Sequence, residues 1–244
     1  MSAERGSVID LRRRAIDLPE RMDADDADPE MLARTYARFP YVNAILAGRR
    51  GLHSREIDPR ARHGRIRVLD IGCGGGDIAR YVARRLRRDG IRAEVIGADI
   101  DARAVRWASD ADDEGLVRWR CVSSAQLVAE GESFDVVLSN HVLHHLSASQ
   151  LADLLNDSTR LTAPGGIAVH GDIARSRTAY ALFDALTRPI ADTLLKNSFI
   201  REDGLLSIRR SYTAAELAAV APPGWRVQRR FPSRLLLVHA GHLY

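Results

Sequence analysis

The sequence predicts an α/β fold built on a seven-stranded, mostly parallel sheet that ends in an antiparallel hairpin. Apolar runs alternate with amphipathic helical segments from residue 66 to residue 173, which is the pattern of parallel strands joined by right-handed crossovers. Two later apolar runs are separated only by Pro232 and Ser233 and predict the hairpin. At 244 residues, 45% of them hydrophobic, the chain fits one large domain with additions.

The predicted strands are short apolar runs bounded by turn residues or by helical segments. In chain order they are IRVLDIG (66–72), AEVIGADI (93–100), VRWRCV (117–122), FDVVLSN (134–140), GIAVHGDI (166–173), WRVQRRF (225–231) and RLLLVHA (234–240). A helix is expected after the first strand, in IARYVARRL, and further helices are expected at 102–108, at 150–161 and from Thr213. The turn Pro164-Gly165-Gly166 is expected to precede the fifth strand.

Two regions lie outside this alternation. Residues 1–64 are expected to form a loose polar arm and then a helical cap, which begins at Pro29 and is broken or kinked at Pro40. Residues 65–244 form the main domain, in which residues 174–212 are expected to be a mostly helical lid insertion. These two regions contain seven aromatic residues: Tyr36, Phe39, Tyr41, Tyr180, Phe183, Phe199 and Tyr212. We therefore expect them to form a mobile cover over a ligand site.

The composition argues against several classes of protein. The net charge is +4, but the arginines are dispersed and have acidic residues in neighbouring segments, so we expect solvated faces and no nucleic-acid partner. Cys73 and Cys121 are too few for a disulfide framework and are not clustered with histidines, so no metal is expected. No apolar run approaches the ~20 residues of a membrane span, and the N-terminus lacks a secretory pattern, so a cytoplasmic location is expected.

The strongest functional motif is DIGCGGG, residues 70–76, where the first strand meets the first helix. Glycines at this junction let a ligand approach the backbone closely. A dinucleotide-binding loop would have its third glycine at position 77, which Asp77 occupies, so a nicotinamide-dependent oxidoreductase is disfavoured. The spacing is instead GxGxG, with Asp70 two positions before the first glycine. An acidic residue there suits a cationic ligand such as S-adenosylmethionine, which has no pyrophosphate.

With SFDVVLSN (133–140) and LTAPGGIAV (161–169) in the same order, this motif resembles that of class I S-adenosylmethionine-dependent methyltransferases. The resemblance covers residues 65–173 and the terminal hairpin, and it implies a Rossmann-like fold and an enzyme that converts S-adenosyl-L-methionine to S-adenosyl-L-homocysteine. It also implies that Asp70 contacts the cofactor's amino group, directly or through water. The methionine part would be wrapped by a loop of three residues: Gly72, Cys73 and Gly74.

The resemblance also assigns the nucleoside half of the cofactor. Asp99, at the end of the second strand, would accept the two ribose hydroxyls, because a carboxylate has two acceptor oxygens, and Ile100 would lie against the adenine. Relatives commonly have an aspartate after the third strand that binds the adenine amino group. This chain has Ser123 and Ser124 there, so a hydroxyl or a backbone carbonyl would take that role.

Asn140 and His141 end the fourth strand, at the carboxyl edge where open α/β sheets bind ligands. Asn140 is expected beside the cofactor and His141 near the methyl group, where His141 would act as general base. Asp172, at the end of the fifth strand, is the second candidate for an acceptor-facing catalytic residue. A structural hydrogen bond is the alternative for both. The other histidines of this region are expected to be packing residues: His144, His145 and His170.

The aromatic cover favours a small, largely apolar or aromatic acceptor, and the sequence predicts no oligomeric state. Residues 21–46 and 203–217 resemble bacterial enzymes encoded beside type III polyketide synthases, which are similar to the ubiquinone- and menaquinone-biosynthesis methyltransferases. This resemblance implies a phenolic or polyketide-derived hydroxyl as acceptor. The alternatives are C-methylation of a quinone-like acceptor and a noncatalytic homologue that only binds S-adenosylmethionine.

Overall fold

A computed structural model describes residues 9–46, 48–61 and 65–241, and its centre is a single twisted sheet. The strands are β1 (Arg65–Ile71), β2 (Arg92–Asp99), β3 (Val117–Cys121), β4 (Phe134–Asn140), β5 (Thr162–Ile173), β6 (Trp225–Arg230) and β7 (Arg234–Ala240). Their order across the sheet is β3-β2-β1-β4-β5-β7-β6. Among the described strands, β7 runs opposite to the other six, so the predicted fold class is confirmed.

Helices pack on both faces of the sheet and at the carboxyl ends of its parallel strands. They are α1 (Pro29–Leu46), α2 (Arg49–Leu52), α3 (Asp58–Ala61), α4 (Asp77–Arg88), α5 (Ala102–Asp110), α6 (Ser124–Ala129), α7 (Ala148–Leu161), α8 (Arg177–Thr187), α9 (Ile200–Arg210) and α10 (Ala214–Val220). Separate apolar clusters lie on the two faces of the sheet. One has α4 against β1, and the other has α7 against β4. Within the described ranges, none of these helices has the length and apolarity needed to cross a bilayer.

The N-terminal arm is docked on the protein, which corrects the prediction of a loose arm for its described part, residues 9–28. The backbone N–H groups of Arg21 and Met22 both donate to the carboxylate of Asp203 in α9, at 2.9 Å each. Arg175, only 5% exposed, donates to the carbonyl oxygens of Leu11 and Ser211. The polar composition of the arm is therefore used in hydrogen bonds to the lid, which a composition argument could not distinguish from solvation.

Two boundary predictions differ in part from the structure. Of the break or kink expected at Pro40, the break is wrong: Pro40 lies inside α1, and Tyr36 and Phe39 before it and Val42 after it all pack into apolar clusters. Packing therefore compensates for the missing backbone donor of the proline. β5 begins at Thr162 and not after the predicted turn; the register shifts between the pairs Phe134–Thr162 and Val136–Ile167, so the glycine-rich segment forms a bulge within the strand.

The predicted lid insertion, residues 174–212, is mostly helical and packs against α1. Phe183 of α8 and Ile200 and Ile208 of α9 form a small core to which Phe39 and Val42 of α1 contribute. The cap and the insertion are thus joined to each other above the carboxyl edge of the sheet. Residues 1–8, 47, 62–64 and 242–244 of the predicted domains lie outside the described residues. The division into an arm with cap, a main domain and a lid stays a prediction.

Candidate active site

A cavity of about 670 Å³ lies at the carboxyl edge of the sheet. Its floor is the loop after β1 and the ends of β2 and β4, and its walls come from the arm, α1, α8 and α9. All nine residues predicted to bind cofactor line this one cavity: Asp70, Gly72, Cys73, Gly74, Asp99, Ile100, Ser123, Ser124 and Asn140. The sheet topology explains this, because the carboxyl ends of its parallel strands meet at a single edge.

The loop after β1 has the backbone conformation that only glycine adopts readily. Gly72, Gly74 and Gly76 have φ angles of 65°, 51° and 75°, in the left-handed region. A β-carbon at Gly72 would lie 2.6 Å from Cγ2 of Val142, whereas one at Gly74 would meet nothing within 4 Å. The glycine at position 74 therefore serves the turn and leaves open space beside the loop, as a ligand that contacts the backbone requires.

Three carboxylates are buried together around this loop. Burial, followed by the charges of Asp77 and Asp99, raises the pKa of Asp70 well above its ordinary value. Burial also raises the pKa values of Asp77 and Asp99. Asp77 accepts weakly from the side-chain amide of Asn43 at 3.2 Å, and Arg80 lies close enough to lower its pKa in part. The cavity therefore has a surplus of negative charge that a cationic ligand would neutralise.

Asp99 is held by the backbone at the end of β2. Its two oxygens accept from the N–H groups of Gly74, at 2.8 Å, and of Asp101, at 2.9 Å. Ile100 follows with 79% of its surface exposed, on the cavity wall. An apolar side chain beside a fixed carboxylate suits a nucleoside, with the ring against the isoleucine and the hydroxyl groups toward the acid.

The two serines after β3 have a local role that sequence analysis missed. Ser123 is the N-cap of α6, where its Oγ accepts from the Gln126 backbone N–H at 3.2 Å in a capping box. The Ser124 hydroxyl donates to Asp157 at 2.7 Å. The pattern Ser-x-x-Gln from residue 123 was the signal for this cap. Both hydroxyls already make hydrogen bonds, so the backbone is the group that remains available to the adenine at this position.

His141 has a strained backbone at the end of β4. Its φ angle is 60°, which is unusual for any residue other than glycine, and its N–H donates to the Gly171 carbonyl at 2.9 Å. Its Nδ1 lies 3.6 Å from Oδ1 of Asp172, and its Nε2 has no hydrogen-bond partner among the described residues. Such strain clusters at functional sites. The ring lines the cavity, as predicted.

Asp172 does not face the cavity, although it was expected to face the acceptor. It is 3% exposed and lies behind two histidines: it accepts from the backbone N–H of His144 at 2.9 Å, and its Oδ1 is 2.9 Å from Nδ1 of that ring. The two-residue period of a strand predicts which face of β5 carries Asp172. It could not show that the turn after β4 covers this residue. Its geometry is that of a residue that positions His144 and His141.

His144 lies between two carboxylates and is the main feature that sequence analysis missed. Its Nδ1 faces Asp172, and its Nε2 is 3.3 Å from Oε1 of Glu20, a residue of the arm that is only 2% exposed. Burial alone would lower the pKa of His144, but the charges and hydrogen bonds of Asp172 and Glu20 outweigh it and raise this pKa to about 10. The partnership with His144 likewise lowers the pKa of Glu20 against the effect of burial. No signal within the VLHHL motif could identify a partner 124 residues earlier in the chain.

Two neighbouring histidines complete this part of the molecule. His145 directs its Nδ1 at Asp23 of the arm, at 2.9 Å. A ring nitrogen of His145, a ring nitrogen of His144 and a carboxylate oxygen of Glu20 lie within 4.8 Å of one another. This group has the donors that a divalent cation takes, but with carboxylates at both ring nitrogens His144 keeps its proton, which competes with metal binding. His170 is fully buried, bonds to Ser139 and stacks on Trp225, which agrees with the expected packing role.

The Glu20–His144–Asp172 network makes stability depend on pH. Because the folded pKa of His144, about 10, exceeds the unfolded value, its contribution is complete below about pH 6.5 and is lost as the pH rises toward 10. Nuclear magnetic resonance titration should therefore show a His144 ring that stays protonated at pH 8. Glu20→Gln should lower its pKa, whereas Glu202→Gln, which removes an exposed carboxylate of α9, should not. A His144 ring that titrates near 6.5 in the unsubstituted protein would contradict the network.

Part of the chain is similar to known methyltransferases. Residues 68–166 match the family model described as "Methyltransferase domain". The ubiquinone biosynthesis O-methyltransferase of Roseobacter denitrificans is 33% identical over 147 residues, which cover 59% of this chain and 55% of that protein. Its counterpart from Parvibaculum lavamentivorans is 32% identical over 146 residues. The matched part is thus about half of each relative's length.

Solved structures share the fold across most of the chain. The plantazolicin methyltransferase BpumL in complex with SAH superposes with a TM-score of 0.64 at 12% identity, covering 91% of this chain and 95% of that one. Human N-acetylserotonin methyltransferase in complex with SAM gives 0.60 at 13% identity, covering 94% of this chain and 63% of that one. These likenesses show that the chain has the fold of these methyltransferases, and residues 68–166 match a methyltransferase domain.

Proposed function

We propose that this protein transfers the methyl group of S-adenosylmethionine to a hydroxyl of a small, largely apolar or aromatic acceptor, such as a phenol or a polyketide-derived ring. The observation that carries this proposal is a single cavity with buried carboxylates and a glycine loop at one end and aromatic side chains from the cap and lid at the other. The first end suits a cationic nucleoside, and the second suits an apolar ring.

The residues of the first end fit the cofactor in charge and shape. Asp70 is completely buried, and its own charge is destabilised there, so the ammonium group of S-adenosylmethionine would gain from pairing with it. Open space beside Gly74 gives the methionine part access to the loop. We assign Asp99 to the ribose hydroxyls and Ile100 to the adenine, an assignment that the fixed carboxylate and the exposed apolar side chain support. When bound, the cofactor supplies the activated methyl group.

The other end of the cavity supports an apolar acceptor. Phe39 from α1 and Phe183 from the predicted lid insertion line the cavity and pack in one cluster, whereas Tyr36 lies against the glycine loop. These rings bring apolar contact area with a defined geometry. The curated relatives are O-methyltransferases by name, which favours a hydroxyl over a carbon as the methylated atom. Nine-tenths of this chain superposes on the plantazolicin methyltransferase. The sequence match spans only about half the length of the O-methyltransferase relatives, so we propose the class of acceptor from the lining of the cavity.

His141 is our candidate for the base that prepares the acceptor. Methyl transfer needs the oxygen, the methyl carbon and the sulfur in line, and holding them so supplies much of the rate enhancement. O-methylation of a phenol also requires loss of the phenolic proton, which His141 would accept. Asp172 lies 3.6 Å from Nδ1 of His141, so the proton would go to Nε2, which is buried without a hydrogen-bond partner among the described residues and would have to turn toward the cavity.

The cofactor assignment is tested by Asp99→Ala. The substitution removes two acceptor oxygens, and each hydrogen bond to a charged group contributes roughly 1.5–3 kcal/mol, so affinity for S-adenosylhomocysteine should fall by about tenfold or more. Calorimetry measures this directly. Asp113→Ala, which removes an exposed carboxylate elsewhere, should leave affinity unchanged. Unaltered binding by a folded Asp99→Ala protein would refute the assignment.

The base is tested by His141→Asn, chosen because asparagine tolerates the left-handed backbone of this position better than alanine. The variant should bind cofactor normally and lose about 100-fold or more in turnover with a phenolic acceptor at neutral pH. Part of that loss should be recovered toward pH 10, where the phenol ionises unaided. Full activity at neutral pH would reject His141 as the base, and a product methylated on carbon would reject O-methylation.

A further inference from the structure

A second cavity, of about 260 Å³, lies between α2 with the turn that follows it and the β6–β7 hairpin. None of the residues that line it lines the cofactor cavity. Three arginines contribute to its surface, Arg55, Arg230 and Arg234, against one acid, Glu56. Its apolar part includes Phe231, which is 96% exposed. The lining is therefore basic and partly apolar.

Arg234 is the unusual group in this cavity. It is only 8% exposed, yet within the described residues its guanidinium makes no hydrogen bond and no ion pair. Two glycines make room for it. A β-carbon at Gly48 would lie 1.9 Å from Nη1, and one at Gly171 would lie 3.2 Å from Nη2. The backbone therefore approaches this cation closely on two sides, and none of the described residues offers it an acceptor.

Burial of a guanidinium is costly where an N–H group loses its water without gaining an acceptor, as Nε of Arg234 does among the described residues. Burial lowers the pKa of Arg234 to about 10, which still leaves the group charged at neutral pH. Asp172 is the acid whose charge acts on it, but the oxygens of Asp172 accept from His144 and from the backbone of Ile173. Glu56 lies 4.0 Å from Arg60, and no ion pair joins it to Arg234. An oxyanion in the cavity would supply an acceptor that the described residues do not.

We propose that the second cavity is a binding site for a small organic anion, a carboxylate or a phosphate monoester whose apolar part packs against Phe231. Arg234 holds the oxyanion from inside the cavity, since a planar guanidinium matches two oxygens at once. Arg230 and Arg55 add positive charge nearer the mouth. The site is independent of the proposed methyl transfer, because it uses none of the residues of the cofactor cavity.

The two cavities nevertheless approach each other at Gly171 in β5. The position of a β-carbon on this glycine lies 2.9 Å from Oδ1 of Asn140, which lines the cofactor cavity, and 3.2 Å from Nη2 of Arg234. An anion on Arg234 is thus one side chain away from the cofactor cavity. Because residue 171 is a glycine, no side chain at this position stands between Asn140 and Arg234.

The experiment compares four probes by calorimetry with the intact protein: inorganic phosphate, octyl phosphate, octanoate and neutral octanol. We expect octanoate or octyl phosphate to bind and octanol not to bind; the preferred head group distinguishes a carboxylate from a phosphate ligand. Arg234→Met should weaken binding by about tenfold or more, because it removes the charge-assisted hydrogen bonds. Arg226→Met, which removes an exposed positive charge from the same hairpin, should leave it unchanged.

Two further variants keep the test decisive. Arg55→Glu reverses an exposed charge at the mouth and should weaken anion binding even if Arg234→Met fails to fold. Phe231→Ser should weaken octanoate binding while leaving inorganic phosphate unaffected. The proposal is overturned if no anionic probe binds the unsubstituted protein, or if Arg55→Glu and a folded Arg234→Met bind the probes as tightly as the unsubstituted protein.

Discussion

The gathering of buried negative charge at one edge of the sheet is the constraint on which the site depends. Asp70, Asp77 and Asp99 meet there because β1 and β2 are adjacent and parallel and α4 begins at the end of the glycine loop. Burial raises the pKa of each. Without a ligand, this buried charge lowers the stability of the fold, and a bound cation would offset that loss. A ligand with an ammonium and a sulfonium therefore complements the site better than a dinucleotide, whose pyrophosphate would add negative charge.

The opposite side of the cavity is organised by one positive charge. His144, protonated between Glu20 and Asp172, joins the N-terminal arm to the end of β5. Asp172 in turn lies beside His141, so the same carboxylate that fixes His144 also orients the candidate base. This arrangement makes the arm a structural part of the acceptor side. Methyl transfer needs alignment more than acid–base power, and a wall assembled from the arm, the cap and the lid can supply that alignment.

The sequence was most informative where local patterns decide the structure. Apolar runs located every strand, and the DIGCGGG motif with Asp99 indicated the cofactor cavity, because these signals are contained in a few consecutive residues. It was least informative for long-range contacts. The docking of Glu20 on His144, the position of Asp172 behind the histidines and the continuation of α1 through Pro40 all depend on packing partners far along the chain. The buried Arg234 belongs to the same class, since two distant glycines enclose it.

The most direct test of this account is the proton balance of cofactor binding, measured by calorimetry across a series of pH values in buffers with different ionisation enthalpies. Burial raises the pKa values of these carboxylates, so a cationic ligand that lowers those pKa values releases protons on binding in the pH range between the unbound and bound values. We expect S-adenosylmethionine to bind with proton release, and Asp70→Asn to reduce that release. Binding without proton release, or tighter binding of a nicotinamide dinucleotide than of S-adenosylmethionine, would contradict the claim that buried carboxylates select a cation.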